Sequence, residues 1–224
     1  MQESGTRSKR YSKRRDDILN EALRVFSEHG LEATGIKEIA TSLGLTHSAL
    51  YHYFPSKEQL VYEAVEKAIS SEIVAMEEAT EGLPAHAPTR LYALARSQVL
   101  HELDDRAYVP LVNAFLYGPL RNAAKLTEEQ RNDIRNLQRR IVGLYRETIE
   151  AGQRAGDFII GSSTVSAFGV LGIVSYAVFW FRPEGRMSAT AVADSVGAQA
   201  VRSVSRLVEA ASIPAFSSPG KDDT

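Results

Sequence analysis

Apolar residues recur three and four positions apart along almost the whole chain, and no stretch alternates apolar and polar residues over a useful strand length. This spacing is that of α-helices that each bury one face. In the first such segment Ile18, Ala22 and Phe26 share a face, and Gly30 follows where a helix C-cap is expected. The sequence therefore predicts an all-α protein.

Breaks in this pattern divide the chain into a small amino-terminal unit and a larger carboxy-terminal one. The clearest linker is EGLPAHAP at 81–88. Before it, the pattern predicts helices at about 12–29, 36–43, 47–53 and 56–80, where Ser56 with Gln59 forms a capping box. After it come a helix from about 91, a short one near 111–117, a long one that Thr127 and Gln130 open and Gly156 ends, and helices at about 163–181 and 189–211.

Composition and charge narrow the class of protein. The 224 residues include no cysteine, which excludes disulfides and zinc–thiolate sites and fits a reducing cytosol. The net charge is −2, yet the first fifteen residues hold six basic side chains, including Arg14 and Arg15, and one acidic side chain. No apolar stretch follows these basic residues, and the apolar segment 165–181 is shorter than the ~20 residues of a membrane span. We expect a cytoplasmic protein without a membrane partner, whose basic arm contacts a polyanion.

Residues 43–60, LGLTHSALYHYFPSKEQL, carry the most specific local signal. Two short helices joined by SLGLT, with the glycine at the turn, are typical of a helix-turn-helix. Leu45, Leu50 and Phe54 are predicted to point inward. The outward side chains then suit the major groove of double-stranded DNA and its flanking phosphates. These predicted DNA contacts are Thr46, His47, Ser48, Ala49, Tyr51, His52 and Lys57, together with Arg14 and Arg15 of the basic first fifteen residues.

Over residues 18–61 the sequence resembles the amino-terminal domain of the tetracycline-repressor-like (TetR) family of bacterial transcription regulators. Matching positions include Ala22, Gly30, Ile39, Leu50 and Lys57. The resemblance adds Thr34 and Gly35 to the predicted DNA contacts, although the family often has Ser or Thr where Gly35 stands and histidine where Tyr53 stands.

The same resemblance implies a homodimer built from the last two helices, a near-palindromic operator and a carboxy-terminal domain that binds a small effector. The resulting plan is a basic flexible arm at 1–12, a helix-turn-helix domain at 13–60, an effector-binding and dimerisation domain at 61–211 and a disordered tail at 212–224.

Aromatic and polar residues on the apolar helices of the second domain are candidates for an effector pocket that takes an apolar ligand with a polar handle. They are Tyr108, Asn113, Phe115, Tyr117, Tyr145, Tyr176 and Trp180, although plain core packing accounts for each one singly. The stretch 179–196 is similar to a subset of the family whose effectors include acyl-coenzyme A thioesters.

Small residues on the last two predicted helices permit close helix approach, either across a dimer interface or within one chain. They are Gly169, Gly172, Ala193, Gly197 and Ala200. The nearly all-round apolar character of 165–181 favours the interface, because one side would otherwise face water.

A different class of protein is suggested by HELDD at 101–105, where His101, Asp104 and Asp105 lie within about one helical turn. Such a group can bind a divalent cation or act as an acid–base pair, but it is more often a polar helix end. His47 and His52 lack a carboxylate or thiolate at ligand spacing. No catalytic residue, metal site or cofactor is predicted. The leading hypothesis is a ligand-responsive repressor, and the competing one is a helical enzyme or metal-binding protein.

Overall fold

The regular structure of the chain is helical throughout the part that the computed structural model describes, which comprises residues 2–104, 109–116, 118 and 125–206, without the side chains of 2–8 and Pro110. Within those residues the sole extended pairing is one isolated antiparallel bridge between Phe158 and Ser205. The predicted all-α class is confirmed.

Four helices precede the linker: α1 (Gln2–His29), α2 (Ile36–Ser42), α3 (His47–Tyr53) and α4 (Lys57–Thr80). Local capping explains their boundaries. The Thr46 side chain accepts a hydrogen bond from the Ala49 N–H at 3.1 Å, and Ser56 accepts one from Gln59, also at 3.1 Å. The Gln59 side chain bonds Glu63 instead of completing the predicted capping box. Gly44 has φ 64°, a left-handed conformation that suits the turn between α2 and α3.

Helix α1 begins about ten residues earlier than the apolar pattern predicts, so the arm expected to be flexible at 1–12 is helical from Gln2. The pattern locates only the part of a helix that buries a face. Residues 9–13 are all exposed and form no buried apolar face. Lys and Arg are good helix formers, and a helix can extend through them into solvent without an apolar stripe.

The carboxy-terminal region contains α5 (Ala87–Asp104), α6 (Val109–Leu116), α7 (Glu128–Ala155), α8 (Ser163–Ser175), α9 (Ala177–Trp180) and α10 (Ala189–Val204). Thr127 and Gln130 form the predicted capping box of α7, and Gly156 ends that helix with φ 83°. The predicted single helix at 163–181 is instead two helices that meet at Tyr176. Residues 207–211 of the predicted last helix, and the predicted tail, lie outside the described residues.

Helix α5 is the centre of the second region, with α4, α7 and α10 packed around it. Its core side chains Leu91, Leu94 and Val99 are buried. Helix α4 belongs to both regions, because Lys67 in its first half bonds Asp16 of α1, and the Ala75 carbonyl in its second half accepts a hydrogen bond from Ser97 of α5.

One described segment, Ser163–Trp180, has the length and composition of a membrane span, with a mean hydropathy of 1.6. It consists of helices of 13 and 4 residues, each shorter than the ~20 that a span needs. This segment is therefore weak evidence for a membrane protein.

Candidate nucleic-acid interface

The outer face of α3 is polar and aromatic. His47, Ser48, Tyr51 and His52 are exposed, whereas Leu50 on the inner face is buried. The His47 and Tyr51 rings meet edge to face with their centroids 4.7 Å apart. Thr46 is exposed but uses its hydroxyl oxygen to cap the helix, and Ala49 is half-buried. Leu50 and Phe54 are therefore inward as predicted, whereas Leu45, predicted inward, and Ala49, predicted outward, are both half-buried.

Two predicted contacts before α2 have different surroundings. Gly35 is exposed at the N-cap of α2, where no side chain caps the helix. Thr34 is only 1% exposed, and its hydroxyl donates a hydrogen bond to the Gly30 carbonyl at 2.8 Å. The prediction that the Thr34 side chain contacts DNA is wrong for this conformation, because that side chain stabilises the turn between α1 and α2.

The predicted phosphate-binding cations hold the amino-terminal helices together. Arg14 donates to the Leu43 carbonyl at 2.9 Å, and Lys57 donates to the Leu31 carbonyl at 2.6 Å. Arg15 pairs with Glu63 and lies 4.6 Å above the Phe54 ring. These three side chains therefore hold α1 and α4 to the turns on either side of α2 and to Phe54 at the end of α3, as well as adding positive charge.

Lys9, Arg10 and Lys13 are exposed cations of the α1 extension, and Tyr11 lies among them. The Tyr11 ring stacks on the Tyr53 ring at the end of α3, with centroids 5.0 Å apart and planes 20° apart. Sequence reasoning missed this contact, because Tyr11 lies in a segment without helical apolar periodicity. The stack ties the basic extension to the helix that carries His47 and Tyr51.

Among the described residues, the predicted effector-binding side chains do not line one pocket. Phe115 is buried and borders a cavity of about 220 Å³ between α6 and α7, and Asn113 lies half-buried on α6. Tyr145 is buried and donates to Gln98 Oε1 at 2.7 Å. Tyr176 and Trp180 are wrong as pocket residues, since they are 65% and 47% exposed. Tyr108 and Tyr117 lie outside the described residues.

The small residues of the last two long helices separate into two groups. Gly169 and Gly172 lie exposed on α8, with nothing within 4 Å of a Cβ built at either position. Ala193, Gly197 and Ala200 are buried on α10, and a Cβ at Gly197 would lie 3.0 Å from the Tyr92 ring of α5. The interface prediction is wrong for these three in this chain, because they already permit close packing of α10 on α5.

Two carboxyl groups, which sequence reasoning did not single out, are buried between α4 and α5. Glu72 is 7% exposed and Glu102 is 3% exposed. Burial raises the pKa of both, and the neighbouring Glu102 charge raises the pKa of Glu72 further. A signal was present, because Glu72 shares the buried stripe of α4 with Ile69 and Ile73.

The alternative site at 101–105 gains no support from geometry. His101 Nε2 lies 3.3 Å from the Ser71 hydroxyl, and Asp104 is exposed. Asp105 lies outside the described residues. Among the residues that are described, no three metal-ligating side chains come together.

Comparison with known proteins gives two family-model matches that together cover most of the chain. Residues 18–64 match the model of bacterial regulatory proteins of the tetR family, and residues 85–204 match a tetracyclin repressor-like carboxy-terminal domain. The chain is 28% identical over 195 residues to the HTH-type transcriptional repressor KstR2 of Rhodococcus jostii, covering 81% of this chain and 86% of that protein.

Solved structures agree with these matches. The TetR family regulator PfmR of Thermus thermophilus superposes with a TM-score of 0.71 at 28% identity, covering 84% of this chain and 99% of that one. AibR in complex with isovaleryl coenzyme A and operator DNA superposes with a TM-score of 0.71 at 27% identity, covering 83% and 97%.

The chain belongs to the TetR family of bacterial transcription regulators. It is a DNA-binding regulator of the class that includes the repressor KstR2, and it is not an enzyme.

Proposed function

We propose that the protein is a cytoplasmic, homodimeric repressor that a small, largely apolar effector releases from a near-palindromic operator. In this proposal, residues 13–60 bind DNA and residues 61–211 bind the effector and the second subunit. The similarity to KstR2, a repressor, and to AibR, whose structure contains both isovaleryl coenzyme A and operator DNA, supports this division.

The proposed DNA contacts are the exposed residues of α3, namely His47, Ser48, Tyr51 and His52, with Gly35 at the start of α2. Histidine and serine side chains at the start of the helix can reach base edges, whereas the Tyr51 hydroxyl suits a phosphate. Lys9, Arg10 and Lys13 extend this surface with positive charge that attracts the DNA backbone without reading sequence.

One observation carries the link between effector and DNA: the first turns of α7 both border the 220 Å³ cavity and contact the start of α4. Gln130 Nε2 donates to Gln59 Oε1 at 2.9 Å, and the Tyr62 hydroxyl donates to Asp133 at 2.9 Å. Burial and the Asp133 contact raise the pKa of Tyr62 to about 12, so this hydroxyl keeps its proton near neutral pH. A ligand that displaces the cavity wall therefore moves residues bonded to the helix that supports the DNA-binding domain.

The lining of that cavity suggests the class of effector. Phe115, Leu126 and Ile134 provide an apolar surface, and the guanidinium groups of Arg131 and Arg135 lie at its border. Both arginines pair with Glu128, at 3.1 and 2.7 Å. An apolar body with an anionic handle complements this arrangement, and an acyl-coenzyme A thioester is one such compound.

The proposed dimer uses the outer face of α8 and α9. Val165, Phe168, Tyr176 and Phe179 are each at least half exposed there, around the bare backbone of Gly169 and Gly172. A contiguous apolar surface of this kind marks a protein interface more often than it faces water. A second copy of the same face would cover it, which fits the two-fold symmetry of a palindromic operator.

The DNA-binding proposal is tested by selecting operator sequences from genomic fragments with purified protein and then measuring variants on the selected sites. Tyr51→Ala is expected to weaken binding by about 1–3 kcal/mol, with a smaller change in the free energy of unfolding, because Tyr51 is exposed and its ring contact is with the exposed His47. Lys57→Ala is expected to lower both the operator affinity and the free energy of unfolding, because it also removes the hydrogen bond to the Leu31 carbonyl. Glu78→Gln, on the exposed side of α4, is the control. Normal operator binding by Tyr51→Ala would contradict the proposed contact.

The effector proposal is tested by screening acyl-coenzyme A thioesters for release of operator DNA. A 100-fold loss of operator affinity corresponds to about 2.7 kcal/mol of differential binding to the two states. Asp133→Asn weakens the α7–α4 link and leaves the cavity lining intact, so we expect thioester binding to persist while release is reduced. Full release by this variant would show that the signal takes another route.

A further inference from the structure

Glu72 of α4 and Glu102 of α5, which we call the carboxyl pair, form a buried cluster with Gln98 of α5, Tyr145 of α7 and Ser175 of α8. Gln98 Nε2 donates to Glu102 Oε1 at 2.9 Å, and the Ser175 hydroxyl donates to the same oxygen at 3.5 Å. The Tyr145 hydroxyl donates to Gln98 Oε1. Three helices thus direct side-chain donors toward one end of the cluster.

The other end of the cluster has acceptors without donors. Glu72 Oε1 and Glu102 Oε2 are fully buried and have no hydrogen-bond partner among the described residues. A buried acceptor left in this way costs about 1–3 kcal/mol, and more when it is charged. Such groups in native proteins have a reason, such as a bound water, ion or ligand.

Apart from the carboxyl protons themselves, the described residues supply no donor to these two oxygens. A metal ion would need further ligands, and no three candidate ligands come together in the described part of the chain. Ile69 and Ile73 flank Glu72 along α4, Val99 precedes Glu102 by three residues on α5, and all three are apolar and buried. Such side chains suit the apolar body of an organic molecule. The cluster shares no lining residue with the α6–α7 cavity.

We propose that the carboxyl pair binds the donor end of an apolar ligand, an ammonium or a hydroxyl group. The ligand's N–H or O–H groups would donate to Glu72 Oε1 and Glu102 Oε2, and its hydrocarbon would pack between α4 and α5. The inference rests on the proposed function in one respect: Glu72 lies on α4, so an occupant of the pair acts on the helix that supports the DNA-binding domain.

The two donor types differ in their proton balance. Burial favours the protonated form of both carboxyl groups, so an ammonium ion, which requires a carboxylate, releases protons when it binds. A hydroxyl group donates to either form and releases none. The heat of binding should therefore depend on the ionisation enthalpy of the buffer for an amine and be independent of it for an alcohol.

The experiment is calorimetric titration of the full-length protein near neutral pH with three probes of one chain length: octylamine, 1-octanol and octanoate. We expect octylamine or octanol to bind at least about tenfold more tightly than octanoate, whose head group is another acceptor and carries a negative charge. Equal binding of octanoate, or no binding of either donor probe, would overturn the proposal and leave a water or a proton as the occupant.

Glu72→Gln and Glu102→Gln test the residues, because each keeps the size of the side chain and removes its titration. Each is expected to weaken the donor probe that binds by about tenfold. Glu78→Gln makes the same change on the exposed side of α4 and should bind like wild type. Wild-type affinity in both buried variants would contradict the assignment even if octanoate binds poorly.

Operator binding without probe, measured on the same preparations, separates this proposal from the proposed function. Protein that binds operator but no donor probe remains a regulator without this site. Protein that binds the donor probe but no operator keeps the site and loses the regulatory role.

Discussion

The two regions of the chain distribute their polar and apolar groups in opposite ways. In the amino-terminal region Leu50 and Phe54 are fully buried, while histidine, serine and tyrosine occupy the exposed face of α3. In the carboxy-terminal region two carboxyl groups are buried, while Phe168 and Trp180 face outward. The first arrangement suits a domain that meets a polar, charged partner. The second suits a domain whose outward apolar face binds another protein surface and whose buried carboxyl groups bind a hydrogen-bond donor.

The largest effect is expected from a charge placed on the outward apolar face of α8. Gly172→Arg adds a charge to the middle of that face, and nothing lies within 4 Å of its Cβ to disturb the monomer fold. We expect monomers in analytical ultracentrifugation. Because two linked recognition helices bind far more tightly than one, operator affinity should fall by about 100-fold or more.

A matched control for this substitution is Glu129→Arg, which introduces the same side chain at an exposed position in the first turn of α7. It should remain dimeric. A dimeric Gly172→Arg protein would exclude the α8 face as the interface and leave its exposed aromatic side chains for another partner.

The buried carboxyl pair predicts an unusual dependence of stability on pH. Both pKa values are raised above the ordinary 4.5, so the folded protein keeps protons that the unfolded chain releases. Stability is then greatest below the unfolded pKa and falls as pH rises toward the folded values. The loss is about 1.4 kcal/mol per pH unit for each carboxyl that stays protonated in the folded state.

Urea unfolding between about pH 5 and about pH 9 measures this slope. Glu72→Gln should flatten it, because the variant has one fewer carboxyl group that titrates differently in the two states. Glu78→Gln should retain the wild-type slope, since its side chain is exposed in the folded protein. An unchanged slope in Glu72→Gln would mean that Glu72 ionises normally in the folded protein.

The smallest expected effect is that of the Tyr11–Tyr53 stack, which joins the basic extension of α1 to α3. Tyr11→Ala removes the stack on Tyr53, a contact of about 0.5–1.5 kcal/mol, and leaves Lys9, Arg10 and Lys13 in place. Operator affinity should fall about twofold to tenfold in a fluorescence anisotropy titration. Tyr11→Phe keeps a ring that can stack and should bind like wild type. Equal losses in both variants would point to the Tyr11 hydroxyl rather than to stacking.

The helix-turn-helix could be predicted closely because its signals are local. Thr46 caps α3 and Gly44 turns the chain before it, and each residue type has a backbone role that sequence spacing reveals. The orientation of the last helices could not be predicted in this way. When a helix is apolar on nearly all sides, as at 165–181, periodicity does not identify the side that packs inward, so Tyr176 is assigned to the wrong side. Gly197 lies on an amphipathic helix, where a small residue permits close packing within the chain or across an interface, and the pattern does not distinguish the two.

The roles of some side chains also could not be predicted from the sequence. Lys57 was predicted to bind phosphate from its position near the recognition helix, yet its ammonium group donates to Leu31, a partner 26 residues away. Glu72 and Glu102 were missed because glutamate is rarely buried in folded proteins. Their burial depends on how α4 and α5 pack together, which no local pattern encodes.

Trp180 is the one tryptophan of the sequence, and about half of its side chain is exposed on the outward apolar face. Its indole emission therefore responds to whatever covers that face, and the chain carries an intrinsic optical label for self-association. Ser175 of the carboxyl cluster lies five residues before Trp180, and α9 contacts α5. Calorimetry therefore separates ligand binding between α4 and α5 from self-association better than fluorescence does.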